Sequence, residues 1–370
     1  MNRLPGSRAP AGRARRPSVP RHRWQPALRA LALLLTLAVA ACSTGSATIP
    51  PDATGSAAPP ATATPTVAPS PAPDAFPVRL LDDEGNAVLL EAEPRRIVSL
   101  TPANTEILFA LGAGDRVVAT TDFDDYPPEA VDLPDVASYT AVDVEKIVGL
   151  EADLVVAGGN SFNDPEALAR MRSLGIPVLV VYAATVDAVL DDIRLIGQAV
   201  GRAAEADALA AAMETDIASV AVATADLPRP RTFYEIDATG EIYGPADDSF
   251  LEQMIELAGG VPITTGSATA YNIPLERLVV ADPEVIVLGD ANYGVTAELV
   301  AARPGWDGMT AVRAGAIRPV NDTVVTRPGP RLTEGLRALV GAIHPDLVLP
   351  PPVSAAAPPV AAAPLPGAGL

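Results

Sequence analysis

The sequence predicts an α/β protein made of two lobes that are joined by a helical connection. Short β-branched segments alternate with helical patterns over residues 96–182 and again over residues 231–343, which is typical of parallel α/β units. The stretch between these regions has no strand signal. An ungapped internal match also relates a helix-and-strand segment of the first region to one in the second.

The first lobe is predicted over residues 76–184. Its expected strands are the β-branched runs RIVSL, DRVVATT, DLVVAG and PVLVVY. Its expected helices are NTEILFALG, VEKIVGL and PEALARMRSLG. Strand and helix therefore follow one another along the chain, as a parallel sheet requires.

Residues 185–226 predict the helical connection. Apolar residues recur there every three to four positions, at Leu209, Met213, Ile217 and Val220. This spacing gives one apolar helical face. Gly201 is expected to divide the stretch into two helices, and the second, at about 1.5 Å per residue, is long enough to bridge two lobes.

The second lobe is predicted over residues 227–345. Its expected strands are RTFYEID, EVIVLGD and AIRPVND. Its expected helices are SFLEQMIELAG, LERLVV, TAELVAA and RLTEGLRALVGAI.

The N-terminal segment predicts an export signal. Residues 1–29 contain eight arginines and no acidic residue, and an uncharged run of twelve follows at residues 30–41. That run is too short to span a bilayer, so residues 1–41 are typical of a signal peptide. The ending VAAC resembles the bacterial lipoprotein box, which implies lipidation of Cys42. An uncleaved signal anchor is the alternative.

Two Pro-rich stretches flank the predicted lobes. Residues 42–75 form a Pro/Ala/Ser/Thr-rich tether with eight prolines and no aromatic or basic residue. Residues 346–370 form a similar tail. Such compositions cannot bury a core, so both are expected to be disordered.

Composition excludes several classes of function. With 26 basic and 45 acidic residues the net charge is −19, which excludes a polybasic nucleic-acid binder. One cysteine and two histidines exclude a disulfide framework and a cysteine or histidine metal cluster. The GAG at 112–114 follows a helix and is not a dinucleotide fingerprint. His344 has no motif-linked serine or carboxylate, so no catalytic residue, cofactor or metal site is predicted.

The internal match joins residues 143–158 (DVEKIVGLEADLVVAG) to residues 274–289 (PLERLVVADPEVIVLG) without a gap. Glu145 corresponds to Glu276, and a basic residue follows each of them. Amphipathic α/β units can resemble one another by chance, but a matched acid-base pair favours a shared function.

The run RRIVSLTPANTEILFALGAGDRVVATTDFDDYPPEA resembles the first lobe of class III periplasmic binding proteins. These proteins are the vitamin B12, ferric-siderophore and haem receptors of bacterial ABC importers. The resemblance covers residues 94–342 and is closest to the vitamin B12-binding branch. It implies two Rossmann-like lobes joined by a single long rigid helix, with the ligand in a cleft between the lobes.

The resemblance also implies a role outside the cytoplasm. A monomeric lipoprotein would be anchored through its N-terminal lipid, in the periplasm or on the outer face of the cytoplasmic membrane. Its partners would be an ABC permease dimer with ATPase subunits. Its ligand would be a metal chelate, ranked as a corrinoid such as cobalamin, then a ferric siderophore, then haem. The rival from another class is a structural or adhesive surface lipoprotein.

Site residues follow from the same resemblance. Glu145 and Glu276 occupy the positions that dock into arginine pockets of the permease, and the alternative is a solvated glutamate paired locally. The expected ligand-binding residues are Tyr126, Tyr139, Tyr243, Tyr271 and Arg327, with Arg331 as a weaker candidate. The alternatives are tyrosines at strand edges and arginines near the start of the last helix.

Overall fold

The protein is described by a computed structural model that covers residues 76–353. The predicted signal peptide, the tether with Cys42 and residues 354–370 of the tail lie outside the described residues. Within the described range, every helix is too short or too polar to be a candidate membrane span.

The first lobe contains a hairpin and a six-stranded sheet. Its strands are β1 (Val78–Leu81), β2 (Ala87–Leu90), β3 (Ile97–Ser99), β4 (Val117–Thr121), β5 (Asp135–Ser138), β6 (Ala141–Val142), β7 (Leu154–Gly158) and β8 (Val178–Val181). Its helices are α1 (Pro102–Ala110), α2 (Pro128–Val131), α3 (Val144–Gly149) and α4 (Pro165–Ser173). The sheet order is β6-β5-β4-β3-β7-β8, parallel except for β6.

Two helices form the connection. They are α5 (Val186–Ala199) and α6 (Ala203–Thr224). Gly201 lies between them with a φ of 64°, a left-handed conformation that glycine adopts without strain. The two helices pack closely, because a side chain at Gly197 would clash with Ala206 of α6.

The second lobe contains a four-stranded parallel sheet of order β10-β9-β11-β12. Its strands are β9 (Arg231–Glu235), β10 (Val261–Pro262), β11 (Val285–Leu288) and β12 (Ile317–Pro319). Its helices are α7 (Phe250–Leu257), α8 (Leu275–Ala281), α9 (Ala297–Ala301), α10 (Thr310–Ala314), α11 (Asp322–Thr326) and α12 (Leu332–Ile343).

One hydrophobic core is continuous across both lobes and the connection. It includes Leu108 of α1, Ile193 of α5, Met213 of α6, Met254 of α7 and Leu339 of α12. Helix α6 also forms an ion pair with the second lobe, because Arg337 Nε of α12 donates to Asp216 Oδ2 at 2.9 Å. The predicted two-lobe α/β architecture is confirmed.

The internal match of the sequence is also a structural repeat. In each lobe a short helix, α3 or α8, leads into a fully buried central strand, β7 or β11. The turn between them contains a left-handed residue at the matched position, Glu151 with φ 52° and Asp282 with φ 47°. The two segments therefore share their backbone course as well as their residues.

The β1–β2 hairpin and strand β6, which are antiparallel, were not predicted from the sequence. The β1–β2 hairpin turns at Gly85, and its Asp83 backbone N–H donates to the Val180 carbonyl of edge strand β8 at 3.1 Å. Strand β6 pairs antiparallel to β5 through two residues. These pieces are too short to show a period in the sequence.

Candidate ligand-binding cleft

A cavity of about 410 Å³ lies at the carboxyl ends of the strands, where open α/β sheets bind their ligands. The first lobe contributes the residues after β3, β4, β5, β7 and β8, and the second lobe those after β11 and β12. Its lining is Thr101, Pro102, Ala103, Asn104, Phe123, Tyr139, Gly158, Gly159, Phe162, Val181, Tyr182, Ala183, Asp192, Tyr293, Asp322, Thr323, Thr326, Arg327 and Pro328.

Four aromatic side chains of the first lobe line this cavity, and we call them the aromatic wall. They are Phe123, Tyr139, Phe162 and Tyr182. The rings of Phe123 and Tyr139 stack with their centroids 4.1 Å apart and their planes 15° apart. Phe162 lies tilted at 6.2 Å from Phe123. Tyr139 is 75% exposed, so the wall offers apolar ring surface to a ligand.

The second lobe presents a more polar side. Asp322 accepts a 2.8 Å hydrogen bond from the buried Tyr234 hydroxyl, and Thr326 Oγ1 donates to its other oxygen at 3.3 Å. Tyr293 is the aromatic residue that this lobe adds to the lining. Partial burial, and then the nearby Tyr293, raise the pKa of Tyr139, which indicates that the two tyrosines approach each other across the cleft.

Arg327 and Arg331 of the second lobe both form ion pairs with Glu106 of the first lobe, and we call these three residues the arginine clamp. Arg327 Nη1 donates to Glu106 Oε1 at 2.7 Å and to Asp125 Oδ1 at 2.6 Å. Arg331 donates to both oxygens of Glu106, at 3.0 and 2.6 Å, and its guanidinium lies 4.1 Å from the centroid of the Tyr126 ring. The Glu106 side chain is only 1% exposed, so the clamp is a buried junction between the lobes.

Some of the predicted ligand-binding residues line the cavity and others do not. Tyr139 and Arg327 line the cavity, and Arg327 does so while bound to two carboxylates. Tyr126 lies instead against the clamp. Tyr243 and Tyr271 do not line the cavity, because they belong to a bridged loop pair in which the Gly244 N–H donates to the Tyr271 carbonyl.

Sequence reasoning missed Phe123, Phe162, Tyr182 and Tyr293. A usable signal was present, since Tyr182 ends a predicted strand and each of the other three aromatics stands within five residues after one. Parallel strands bring such positions to one edge of the sheet.

A carboxyl pair, made of the buried Asp192 and the exposed Asp83, lies beside the cleft. Asp192 of α5 lines the cavity, and burial followed by the charge of Asp83 and its hydrogen bond raises the pKa of Asp192 to about 9. Asp83 Oδ2 itself accepts the Tyr182 N–H at 2.6 Å. Burial and the nearby Asp83 therefore favour the protonated form of the Asp192 carboxyl group.

A second carboxyl pair lies below the cleft in the other lobe. Glu235 ends β9 and is fully buried, with Arg303 Nη1 donating to its Oε2 at 2.6 Å. Burial and this neighbouring carboxylate raise the pKa of Asp290. Within residues 76–353, no group of three or more histidine, cysteine, aspartate or glutamate side chains is arranged to hold a metal ion.

Glu145 and Glu276 lie at matching places on the outside of the two lobes, which we call the docking corners. Each is exposed and is the second residue of its helix, α3 or α8. The basic residue that follows folds back onto a backbone carbonyl: Lys146 Nζ donates to Asp135 O at 2.5 Å and Arg277 Nη2 to Thr264 O at 3.4 Å. Neither basic neighbour therefore pairs with the carboxylate that precedes it.

The two corners differ in one respect. Glu145 Oε1 lies 3.6 Å from Arg170 Nη2, with both side chains mostly exposed. Glu276 has no ion pair within the described residues. The locally paired alternative thus applies in part to Glu145.

Two lobes that meet over an aromatic-lined cavity, with matched acidic corners outside, define a solute-binding protein of the two-lobed type. The profile of the family described as periplasmic binding protein matches residues 97–322. The chain therefore belongs to the periplasmic binding protein family. Because this family consists of transport proteins, the prediction that the chain is not an enzyme is confirmed.

Individual proteins agree with this assignment. The chain is 34% identical to the uncharacterised ABC transporter substrate-binding lipoprotein YvrC of Bacillus subtilis, over 74% of this chain and 87% of that protein. It is 33% identical to a cobalamin-binding protein of Halobacterium salinarum, over 73% and 75%. The crystal structure of the periplasmic vitamin B12-binding protein BtuF of Vibrio cholerae covers 68% of this chain and 96% of its own, with a TM-score of 0.60 and 27% identity.

Proposed function

We propose that this chain is the lipid-anchored substrate-binding protein of an ABC importer, and that it captures a corrinoid such as cobalamin outside the cytoplasm. The observation that carries the proposal is the cavity at the facing strand ends with its aromatic wall. A large planar chelate has apolar faces, and stacked rings offer matching surface. The names of the relatives from Halobacterium and Vibrio support a corrinoid over other chelates.

Haem is the second candidate, because Tyr139 of the first lobe and Tyr293 of the second both line the cleft. A tyrosinate is an established axial ligand of haem iron. A ferric siderophore remains the third alternative of the same family. Family membership favours all three over a structural or adhesive role.

Delivery to the membrane is proposed to use the docking corners. Glu145 and Glu276 would each enter an arginine pocket of the permease dimer, which works with ATPase subunits to import the ligand. Two like carboxylates on repeated helices suit a symmetric partner, and a carboxylate forms strong charge-assisted bonds with a guanidinium. Lipidation at Cys42, which lies outside the described residues, would keep the monomeric protein near the permease.

Equilibrium dialysis of the full chain against cyanocobalamin, haemin and a ferric siderophore tests the ligand. We expect saturable cyanocobalamin binding with a Kd below about 1 µM. Tighter binding of haemin would transfer the proposal to the second candidate. No saturable binding of any probe would contradict a role in chelate capture.

Cellular uptake tests docking separately. The double variant Glu145→Gln with Glu276→Gln should lower cobalamin uptake at least about tenfold, since two charge-assisted contacts are lost. Ligand affinity should not change, because both residues lie outside the cleft. Glu129→Gln removes an exposed carboxylate of the first lobe away from the docking corners and is the matched control. Unchanged uptake by the double variant would refute this docking role.

A further inference from the structure

We propose that the cleft selects chelates that carry neutral carboxamide groups and rejects chelates that carry several carboxylates or other anionic groups. This inference rests on the proposed function and narrows its ligand class. It follows from which charged and hydrogen-bonding groups the cavity leaves available to a ligand.

The cavity offers an anion no cationic group that is not already paired with a carboxylate. Arg327 is the one basic residue among the nineteen that line the cavity, whereas Asp322 contributes a carboxylate to the lining. A ligand carboxylate or phenolate needs a charged donor to offset its loss of hydration. Within the lining, only Arg327 has that charge.

Arg327 is already neutralised. Its Nη1 atom contacts Glu106 at 2.7 Å and Asp125 at 2.6 Å, and its side chain is 16% exposed. Arg331 is bound to the same Glu106. Moving either guanidinium to a ligand would weaken the pairing of a buried carboxylate, which costs more than the new contact returns.

The lining also contains a donor without a partner. Asn104 is 2% exposed and its Nδ2 atom has no hydrogen-bond partner within the described residues. Buried amide donors are normally satisfied, so an unpaired one on a lining residue is a candidate partner for a ligand carbonyl. Thr323 belongs to the same lining.

An acceptor faces the cavity from the second lobe. Asp322 is held by Tyr234 and by Thr326, and a carboxylate accepts more than two hydrogen bonds. An amide N–H satisfies it, whereas a ligand carboxylate would be repelled. One donor and one acceptor thus match the two ends of a carboxamide.

The net charge of residues 76–353 also disfavours anionic ligands. Residues 76–353 contain 43 acidic and 18 basic side chains. The resulting negative field slows the approach of anions, and salt screens it beyond about 8 Å at physiological ionic strength.

A matched pair of corrinoids isolates this property. Dicyanocobyrinic acid heptaamide and dicyanocobyrinic acid have the same ring, metal and axial ligands, and differ in seven carboxamides against seven carboxylates. Equilibrium dialysis of the full chain should show the amide binding at least about 100-fold tighter, because several carboxylates would be desolvated without partners. Raising the salt concentration should reduce this ratio.

Two variants connect the result to named residues. Asp125→Asn removes one partner of Arg327, so the affinity for the heptacarboxylate should rise at least about threefold. Asp226→Asn makes the same charge change at an exposed position outside the lining and should leave the ratio unchanged. Asn104→Ala should weaken the heptaamide about tenfold, the usual cost of a lost buried hydrogen bond.

The outcomes separate the two proposals. Equal or tighter binding of the heptacarboxylate would overturn the inference and leave the importer role intact. So would binding of haemin or an anionic ferric tricatecholate together with failure of both corrinoids. Failure of every probe would overturn the proposed chelate-binding function and the inference together.

Discussion

The two lobes share a repeated segment yet differ on the surfaces where they meet. On the outside, α3–β7 and α8–β11 place Glu145 and Glu276 at the same position. At the cleft, the first lobe contributes four aromatic side chains, and the second contributes one tyrosine with polar and charged groups. In each lobe, therefore, the buried strand constrains the conformation of the segment before it, while the sequence of the loop after it can change.

A physical reason supports this division. Strands β7 and β11 are buried at every position, so their register and the preceding turn can change only with the core. The loops beyond the carboxyl ends lie at the surface and tolerate substitution. The placement of Glu145 and Glu276 can thus stay the same in both lobes, while the loops at the cleft carry different side chains on each side.

Glu106→Ala should lower the free energy of unfolding more than any other proposed substitution. It tests whether the two lobes unfold as one unit. The change leaves Arg327 and Arg331 partly buried without their shared partner, which typically costs about 3–5 kcal/mol of unfolding free energy. Urea unfolding measures this loss. Asp125→Asn, whose side chain is 57% exposed, should cost less than about 1 kcal/mol. A loss of similar size in both variants would show that the clamp does not join the lobes.

Phe123→Ala should reveal the unequal contributions of the lobes to binding. Loss of the ring that stacks on Tyr139 should cost about 2 kcal/mol, which is about 30-fold in the Kd of cyanocobalamin. The matched change in the second lobe, Tyr293→Ala, removes an 84% exposed ring and should cost much less. Tyr271→Ala should have no effect. Equal losses at Phe123 and Tyr293 would contradict an asymmetric cleft.

Asp192→Asn should stabilise the first lobe in a pH-dependent manner. The pKa of Asp192 is about 9 in the folded protein against an ordinary 3.8, with Asp83 and Asp191 as the charges that oppose its ionisation. The folded state therefore holds an extra proton between these values, and stability falls as the pH rises through this window.

An amide at position 192 can still donate to Asp83 and carries no such cost. The gain in unfolding free energy should be about 1–2 kcal/mol at pH 8 and smaller at pH 5. Thermal unfolding at both pH values measures it. An equal gain at the two pH values would show that Asp192 is already ionised in the folded protein at pH 5.

Arg170→Ala should have the smallest effect, and it addresses the difference between the docking corners. The exposed pair with Glu145 is worth less than about 1 kcal/mol, so freeing the carboxylate should improve docking about two- to threefold. Binding to the permease in lipid nanodiscs measures this change. The gain should vanish when Glu145→Gln is also present, and a gain that persists would indicate another cause.

Much of the architecture could be predicted from the sequence. The alternating β-branched runs predicted β3, β4, β7, β8, β9, β11 and β12, because buried parallel strands are continuously apolar. The matched segments also predicted that Glu145 and Glu276 occupy equivalent positions, while their docking role stays a prediction. The break at Gly201 could also be predicted, since α5 ends at Ala199 and α6 begins at Ala203.

The interior of the site was less predictable. The clamp joins Glu106 to Arg327 and Arg331 over more than 220 positions, and no local pattern encodes such a pairing. The sequence indicated that Arg327 approaches the ligand, but not that two carboxylates already hold it. Tyr243 and Tyr271 have the same residue type as the true lining residue Tyr139, and only their bridged loops keep them away from the cavity.

The lysine that holds its docking corner in place is the only lysine among the 370 residues. Its ammonium group donates to the Asp135 carbonyl, beside the carboxylate proposed to meet the permease. An amine-reactive fluorophore or crosslinker would therefore modify one side chain among these 370 residues, next to the proposed contact, besides the α-amino group. This lysine thus provides a label for following the encounter with the membrane complex, without an engineered handle.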